Sequence, residues 1–138
     1  MELTDPWEIG YYDASSEKIT VFKSLADLKY AGDSNTSFEV KPEEEVFKKP
    51  GDIIHKLELE KVDFSFDQAK ELWKKNLPAL FPHEISGDGF VILQTLNTKT
   101  IWNISCISQT VKFLNMHIDA ATGEINSHQT IKMVDKSN

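Results

Sequence analysis

The stretch Phe64-Ser-Phe-Asp-Gln-Ala-Lys-Glu-Leu-Trp-Lys-Lys-Asn-Leu-Pro78 decides the fold that we predict for this 138-residue chain. Ser65 and Gln68 have the spacing of a capping box, in which each side chain bonds to the backbone N–H of the other residue at a helix start. After the cap, apolar side chains recur every three or four residues, which is typical of an amphipathic helix. The apolar stripe consists of Phe66, Ala69, Leu72, Trp73 and Leu77. Such a helix needs a second layer to cover its stripe.

The chain after this helix is predicted to supply that layer as β-structure. Pro78 should end the regular helix at or before Leu77. An irregular segment containing Leu80, Phe81 and Ile85 should then continue along the core. Consecutive strands joined by turn residues follow, which predicts an antiparallel meander with one face covered by the helix. The predicted strands are Phe90–Leu96, Thr100–Ile107, Val111–Asp119 and Glu124–Val134.

Residues 1–52 are predicted to form an acidic hairpin and loop, followed by the helix-and-strand region at 53–134. We favour a single domain over 1–138, because the first 40 residues bury too little to fold alone. The alternative is that the charged segment 41–52 is a linker. The predicted strands of this part are 7–12 and 18–22, joined by the turn 13–17, and a half-buried strand at Ile53–Glu60. Between them we predict a short helix that begins with Ser24 as its cap and ends near Gly32, and a polar loop at 31–37.

Composition excludes several classes of partner. The net charge is −7, and residues 1–60 hold 14 acidic residues against 7 lysines. All 15 basic residues are lysines, so the arginine fork that usually reads phosphates and guanine edges is missing. We therefore predict no nucleic-acid partner. No apolar stretch reaches the ~18–20 residues that cross a bilayer, so we predict no membrane-spanning segment.

The N-terminal sequence bears on the compartment. Residues 1–6 lack the basic and apolar regions of a signal peptide, which predicts a cytoplasmic protein. An extracytoplasmic location is the alternative, if a leader has been removed. The glycosylation triplets that begin at Asn35 and Asn103 favour that alternative only weakly, because such triplets arise often by chance.

No catalytic, cofactor or metal site is predicted. The single cysteine, Cys106, lies in an apolar run and is interpreted as a buried structural thiol. The chain has no Gly-x-Ser-x-Gly turn and no glycine-rich phosphate loop. The acidic run Glu43–Glu45 lacks the alternation of a calcium loop. His55, His83, His117 and His128 lack metal-site spacing, although His117 and His128 could meet across the last hairpin.

The C-terminal half resembles a PepSY domain over residues 62–134. Three segments carry the resemblance: the capped helix Phe66–Trp73, the strand Thr100-Ile-Trp-Asn-Ile-Ser105, and the hairpin His117-Ile-Asp-Ala-Ala-Thr-Gly-Glu-Ile125. PepSY domains have an Ala near the start of the helix, a tryptophan-bearing strand and an Asp-Ala-x-Thr-Gly-Glu hairpin. The resemblance implies an α+β, cystatin-like fold in which one helix packs on an antiparallel sheet. It implies no catalytic residues, because the family shares none.

The residues that we single out are structural. Asp119 should cap the backbone of the last turn, and Gly123 should take a left-handed conformation there. Trp73 and Trp102 should lie in or at the edge of the core. Asp13 belongs to a weaker repeat of the hairpin motif, because Tyr12–Ile19 resembles Ile118–Ile125. Glu17 stands where the second motif has glycine, so we expect the first turn to differ.

The predicted function follows from the resemblance. We expect a non-catalytic binding or regulatory module that engages a peptidase or another protein or peptide. The alternative is a small-molecule-binding protein or an unrecognised hydrolase, with a pocket between helix and sheet near Leu80, Phe81 and Trp102. A deep pocket with convergent polar groups would favour the alternative, and a filled core beside open sheet edges would favour the module.

Overall fold

The computed structural model describes residues 7–24, 38–46 and 53–132. The chain divides into two compact units. Among the described residues, the N-terminal unit holds 7–24, 38–46 and 53–54, and the C-terminal unit holds 55–132. Whether both belong to one cooperative domain over 1–138 stays a prediction.

The N-terminal unit is an antiparallel sheet built around a hairpin. Its strands are β1 (Glu8–Asp13), β2 (Lys18–Ser24), β3 (Phe38–Val40) and β4 (Glu44–Glu45). β2 pairs with β1 on one side and with β3 and β4 on the other. The two predicted strands are therefore confirmed. The sequence pattern missed β3 and β4, because they have only three and two residues and are too short to show a strand periodicity.

Other predictions for the first 52 residues have mixed outcomes. Ser24, the predicted cap of a short helix, is the last residue of β2. The remainder of that helix and the loop at 31–37 lie outside the described residues. Within the segment 41–52, residues 44–45 form β4, and 47–52 lie outside the described residues.

The helix α1 spans Phe66–Leu80 and begins with the predicted capping box. The Gln68 backbone N–H donates to Ser65 Oγ (3.2 Å), and the Ser65 N–H donates to Gln68 Oε1 (2.8 Å). Ala69 and Trp73 are the buried members of the apolar stripe. The cap thus fixes both where the helix begins and which face it turns to the sheet.

The predicted end of the helix at Leu77 was wrong. Pro78 lies inside the helix, which continues to Leu80 and closes with a bond from the Phe81 N–H to the Leu77 carbonyl (2.8 Å). Proline has no N–H to donate and its ring crowds the carbonyl four residues earlier, but here this disturbs only the last turn, because the helix ends two residues after Pro78. Phe81 is buried as expected, whereas Ile85 is 58% exposed, so the expectation that Ile85 follows the core was also wrong.

The C-terminal sheet has four antiparallel strands in the order of the chain. They are β5 (Ser86–Leu96), β6 (Lys99–Ser108), β7 (Lys112–Asp119) and β8 (Ile125–Lys132). The predicted α+β arrangement of a helix packed with an antiparallel sheet is confirmed. The predicted strand bounds differ from the observed ones at the ends, and β5 begins four residues earlier than expected.

The core lies between α1 and one face of this sheet. Trp102 of β6 donates its indole N–H to the Phe64 carbonyl (2.9 Å), and its ring lies 5.8 Å from that of Phe66. Trp73 lies 6.0 Å from Phe81, centroid to centroid. The fully buried large side chains are Trp73, Phe81, Ile104, Leu114, Met116, Ile118 and Cys106, and Trp102 is 5% exposed.

The predicted strand at Ile53–Glu60 was wrong. Residues 53–58 form no regular element, and Leu59–Lys61 form one 3-10 turn. Ile53 and Leu59 are 75% and 66% exposed. Alternation shows which face of a segment could be buried, but a strand also needs a free sheet edge to pair with. The Glu58 N–H bonds instead to the side chain of Thr95 (3.2 Å).

Glu84 joins the segment after α1 to the turn between β6 and β7. Its carboxylate accepts from the Lys112 ammonium (2.6 Å) and from the Thr110 hydroxyl (2.5 Å). These bonds favour the charged form and lower the pKa of Glu84 from its ordinary 4.5 to about 2. The carboxylate is therefore ionised at every pH near neutrality.

The role of Trp102 can be tested by truncation. Trp102→Ala should lower the free energy of unfolding by about 3–5 kcal/mol, because it empties a large buried volume and leaves the Phe64 carbonyl unpaired. Trp102→Phe keeps most of the apolar volume and should cost less, on the order of 1–2 kcal/mol for the lost hydrogen bond. Urea denaturation measures both. An unchanged midpoint for Trp102→Ala would contradict the placement of this side chain.

The Glu84 contact predicts a dependence of stability on pH. Because the folded-state pKa is lowered, its stabilisation is present above about pH 4.5 and is lost as the pH falls toward 2. The difference in unfolding free energy between wild type and Glu84→Gln should therefore be largest near neutrality and shrink below pH 4.5. Denaturation from pH 2 to 7 measures it, with the exposed Glu71→Gln as control. A gap that stays constant over this range would refute the contact.

Candidate functional site

The side of the C-terminal sheet opposite α1 is the most distinctive surface of the C-terminal unit, and we call it the open face. Trp102 points toward the helix, so residues one position away point to the other side. Cross-strand neighbours share a face, which extends the assignment to all four strands. The open face comprises Phe90, Ile92 and Gln94 of β5, Ile101, Asn103, Ser105 and Ile107 of β6, Phe113, Asn115 and His117 of β7, and Ser127, Gln129 and Ile131 of β8.

Large apolar side chains on this face remain in contact with water. Phe90, Ile92, Ile107 and Ile131 are 44–49% exposed. Phe113 is half-buried between Ile107 and Ile131, which lie opposite it on the neighbouring strands. Its ring centroid lies 6.5 Å from that of Phe90. A contiguous group of exposed apolar side chains of this kind commonly marks an interaction surface.

A hydrogen-bonded cluster of amides occupies the centre of the open face. Asn115 Nδ2 donates to Asn103 Oδ1 (2.6 Å) and to Ser105 Oγ (2.8 Å). Asn103 Nδ2 donates in turn to Gln94 Oε1 (3.0 Å). We call these four residues the amide cluster. The bonds run in one direction across β7, β6 and β5, so they fix the orientation of each side chain.

The amide cluster keeps unused bonding capacity. A carboxamide has two N–H donors and an oxygen with two lone pairs. Among the described residues, the Gln94 NH₂ group and the Asn115 side-chain oxygen have no hydrogen-bond partner. Ser105 and Asn115 are buried, at 1% and 6% exposed. A ligand on this face would therefore meet the oriented, half-buried Gln94 side chain, while Ser105 and Asn115 support the cluster from below the surface.

The positions named above carry no lysine, aspartate or glutamate, and the charges of the open face lie toward its ends: Asp88 is two residues from Phe90 on β5, and Lys99 and Asp119 lie beside Ile101. Burial lowers the pKa of His117, which favours its neutral imidazole at neutral pH. The nearest acid along β7 is Asp119, whose carboxylate is occupied in the following turn. The centre of the open face is thus uncharged, although 27% of the residues of the chain are charged.

The residues singled out from the sequence lie elsewhere and serve the fold. Asp119 Oδ1 accepts from the backbone N–H groups of Ala121 (2.8 Å) and Thr122 (3.2 Å). Gly123 has φ +76°, and a Cβ there would lie 2.6 Å from the Phe64 ring. Glycine is therefore required both for the backbone conformation and for the close approach. Trp73 and Trp102 are core residues on the helix side of the sheet.

The first turn resembles the last one more than the sequence predicted. Asp13 Oδ1 accepts from the Ser15 N–H (2.9 Å), as Asp119 accepts from Ala121. The Ser15 hydroxyl, which also donates to Asp13 Oδ1 (2.7 Å), and then the Ser15 N–H lower the pKa of the Asp13 carboxyl. Glu17 takes φ 55°, the left-handed conformation that Gly123 takes in the last turn. The expected difference between the turns was wrong, because a turn in contact with water leaves room for a non-glycine residue at this position.

The histidines and the cysteine do not form a reactive site. His117 lies opposite Ser127, whereas His128 lies opposite Met116, so the two histidines point to different faces of the sheet. His128 contacts the Phe81 ring, at 5.8 Å between centroids. Burial raises the pKa of the Cys106 thiol, which disfavours the reactive thiolate. Among the described residues, no group of three His, Cys, Asp or Glu could hold a metal ion.

The location expected for a small-molecule pocket is occupied by side chains. Phe81 and Trp102 are 2% and 5% exposed and pack within the core. A groove is present on the flank of α1, outside the interface of helix and sheet. It is lined by Phe64, Asp67, Gln68, Glu71, Leu72 and Lys75. This groove holds charges of both signs and does not contain the convergent polar groups that the alternative function requires.

Comparison with known proteins leaves the family open: no protein-family model, no curated protein and no solved structure matches this chain. Across 7–24, 38–46 and 53–132, no helix combines the length and the hydropathy needed to span a membrane. From the sequence, the sheet edges and the face opposite the helix are the natural docking surfaces of such a module, but the residues of that face were not predicted. A signal was present, since Asn103 and Ser105 alternate with Trp102, Ile104 and Cys106, but alternation alone does not show that polar residues of three strands meet.

Proposed function

We propose that this chain is a non-catalytic binding or regulatory module that engages a protein or peptide through the open face. The observation that carries the proposal is the combination of exposed apolar side chains with the amide cluster. Interface centres are typically poor in charge and rich in aromatic residues, with water-accessible polar groups around them. Here the aromatic and aliphatic residues surround the amides, and the charged residues of the face lie toward the ends of its strands.

The chemistry of the open face fits a polypeptide. Carboxamides present a donor and an acceptor, as does each peptide unit, so the free NH₂ group of the half-buried Gln94 can donate to a peptide carbonyl. Phe90, Ile92 and Phe113 offer apolar contact beside it. A partner that suits this face has an uncharged segment with apolar side chains, because a charged one would lose its hydration without gaining an ion pair.

The resemblance to PepSY domains supports the regulatory part of the proposal. The residues of that resemblance build the core and the last turn, through Trp102, Asp119 and Gly123. PepSY domains are associated with the regulation or inhibition of peptidases. A peptidase is therefore the first partner to test, with the open face as its docking surface. The alternative small-molecule function receives less support, because its expected pocket is filled.

The proposal is tested by selecting peptides from a display library on the immobilised full chain. Selected peptides should bind wild type and lose affinity for Ile92→Lys, which places a charge on the open face. The expected loss is about tenfold or more, the scale of one interface residue that costs more than 1 kcal/mol. Ile85→Lys is the matched control, because Ile85 is an exposed isoleucine outside the open face.

Each outcome of this selection bears on the proposal. Equal binding to wild type and Ile85→Lys, with weaker binding to Ile92→Lys, supports it. A selection that enriches no sequence, or peptides that bind Ile92→Lys as well as wild type, would overturn it. Circular dichroism of both variants shows whether a loss of binding comes from unfolding. If Ile92→Lys is unfolded, Ile107→Lys provides a second probe of the same face.

A further inference from the structure

His117 lies in the middle of the open face, on the inner strand β7. The register places it opposite Asn103 of β6 and Ser127 of β8, and Ile92 of β5 pairs with Asn103 in the same row. Two strand spacings, about 10 Å in all, separate Ile92 from His117. An extended segment of four residues spans about 13 Å, so a peptide that crosses the strands at Ile92 also covers His117.

The imidazole of His117 is the one side chain among the residues of the open face whose charge changes in mildly acidic solution. It is half-buried, and burial alone lowers its pKa from the ordinary 6.5. Among the described residues, no hydrogen bond or ion pair supports its charged form. The side-chain oxygen of its neighbour Asn103 already accepts from the Asn115 amide (2.6 Å). The free chain therefore holds a neutral imidazole here at neutral pH.

The charged groups around His117 lie toward the ends of the strands. From Ile125 to Ile131, β8 has no lysine, aspartate or glutamate, and its His128 lies opposite Met116 and points to the helix side. Asp119 lies two residues from His117, but its Oδ1 accepts from two backbone N–H groups of the following turn. The other titratable groups toward the ends of this side are Asp88 of β5, Lys99 of β6 and Glu124 in the turn before β8. An imidazolium at His117 would thus meet no carboxylate in its own row of the sheet.

Docking of the proposed partner makes a charge at His117 costly. The partner that suits the open face is an uncharged segment, and it would remove the remaining water from the half-buried imidazole. A neutral imidazole offers one donor and one acceptor to a peptide unit, whereas the imidazolium offers two donors and a charge. Burying a charge that has no anion beside it is strongly unfavourable. The partner therefore binds the form of the chain in which His117 is neutral.

We infer that protonation of His117 releases the partner from the open face, so that the module binds at neutral pH and dissociates in mildly acidic solution. This inference rests on the proposed function and adds its regulation. Binding and protonation are linked, so a partner that excludes the proton must lower the pKa of His117 further when it binds. The Glu84 contact stays intact over this range, because the Lys112 ammonium and the Thr110 hydroxyl lower the pKa of Glu84 to about 2.

Affinity measured against pH tests this inference. The probe is a library-selected peptide with acetylated and amidated ends and no acidic or histidine residue, so the peptide itself does not titrate. Isothermal titration calorimetry from pH 7.5 to 5.0 should show a Kd that rises up to about tenfold for each pH unit below the pKa of His117. His117→Gln keeps a donor and an acceptor without a titrating charge, so its Kd should stay constant over this range. His55→Gln is the matched control, because His55 is an exposed histidine outside the open face, and it should keep the pH dependence of wild type.

Nuclear magnetic resonance of wild type provides a readout that needs no variant. The Cε1–H signal of His117 follows its protonation in the free chain and in the chain saturated with the peptide. The pKa should be lower in the complex, by the logarithm of the factor by which protonation weakens binding. A pKa that stays the same or rises on binding overturns the inference, even if His117→Gln does not fold.

The inference and the proposed function fail in different ways. If the peptide loses affinity for Ile92→Lys at pH 7.5 but its Kd for wild type does not change with pH, the regulation is wrong and the open face remains the docking surface. The same conclusion holds if His117→Gln keeps the pH dependence of wild type. If no peptide is enriched, or if Ile92→Lys does not weaken binding, the proposed function fails and this inference fails with it.

Discussion

Phe64 is the residue on which the architecture of the C-terminal unit depends, because three contacts fix it in place. Its N–H donates to the Ala120 carbonyl (2.9 Å), and its carbonyl accepts from the Trp102 indole (2.9 Å). Its ring lies against Gly123, where no side chain would fit. Since Ser65 caps α1 directly after it, these contacts determine where the helix starts on the sheet. The buried stripe of the helix then covers Trp102 and its neighbours on one face only.

Because α1 packs on one face of the C-terminal sheet, the other face of the same strands is not covered by the helix. β6 and β7 are the inner strands, so their outward residues lie in the middle of a surface that α1 cannot reach. Polar side chains in such a place need partners, and Asn103, Ser105 and Asn115 supply them to each other. The apolar residues around them have no comparable partners on this face and remain exposed to water. Their exposure in a chain that is otherwise rich in charge supports our proposal of a binding module.

The sequence was sufficient to predict the parts of the fold that depend on local chemistry. The capping box at Ser65, the buried Trp73 and the Asp119 turn each follow from a few adjacent residues. The helix end, the segment before Leu59 and the open face depend on contacts between distant residues. Pro78 is tolerated because of where the helix happens to end, and the amide cluster exists because the register sets Asn103 beside Asn115. The pairing register of the strands cannot be read from a single sequence.

The central claim is that the open face, and no other surface of the C-terminal unit, receives the partner. Nuclear magnetic resonance of the ¹⁵N-labelled full chain, titrated with a peptide selected on it, tests this claim most directly. The account predicts that the largest shift changes occur in the side-chain amides of Gln94, Asn103 and Asn115 and in the backbone of β5, β6 and β7. Shift changes confined to the flank of α1, around Asp67, Glu71 and Lys75, would contradict it.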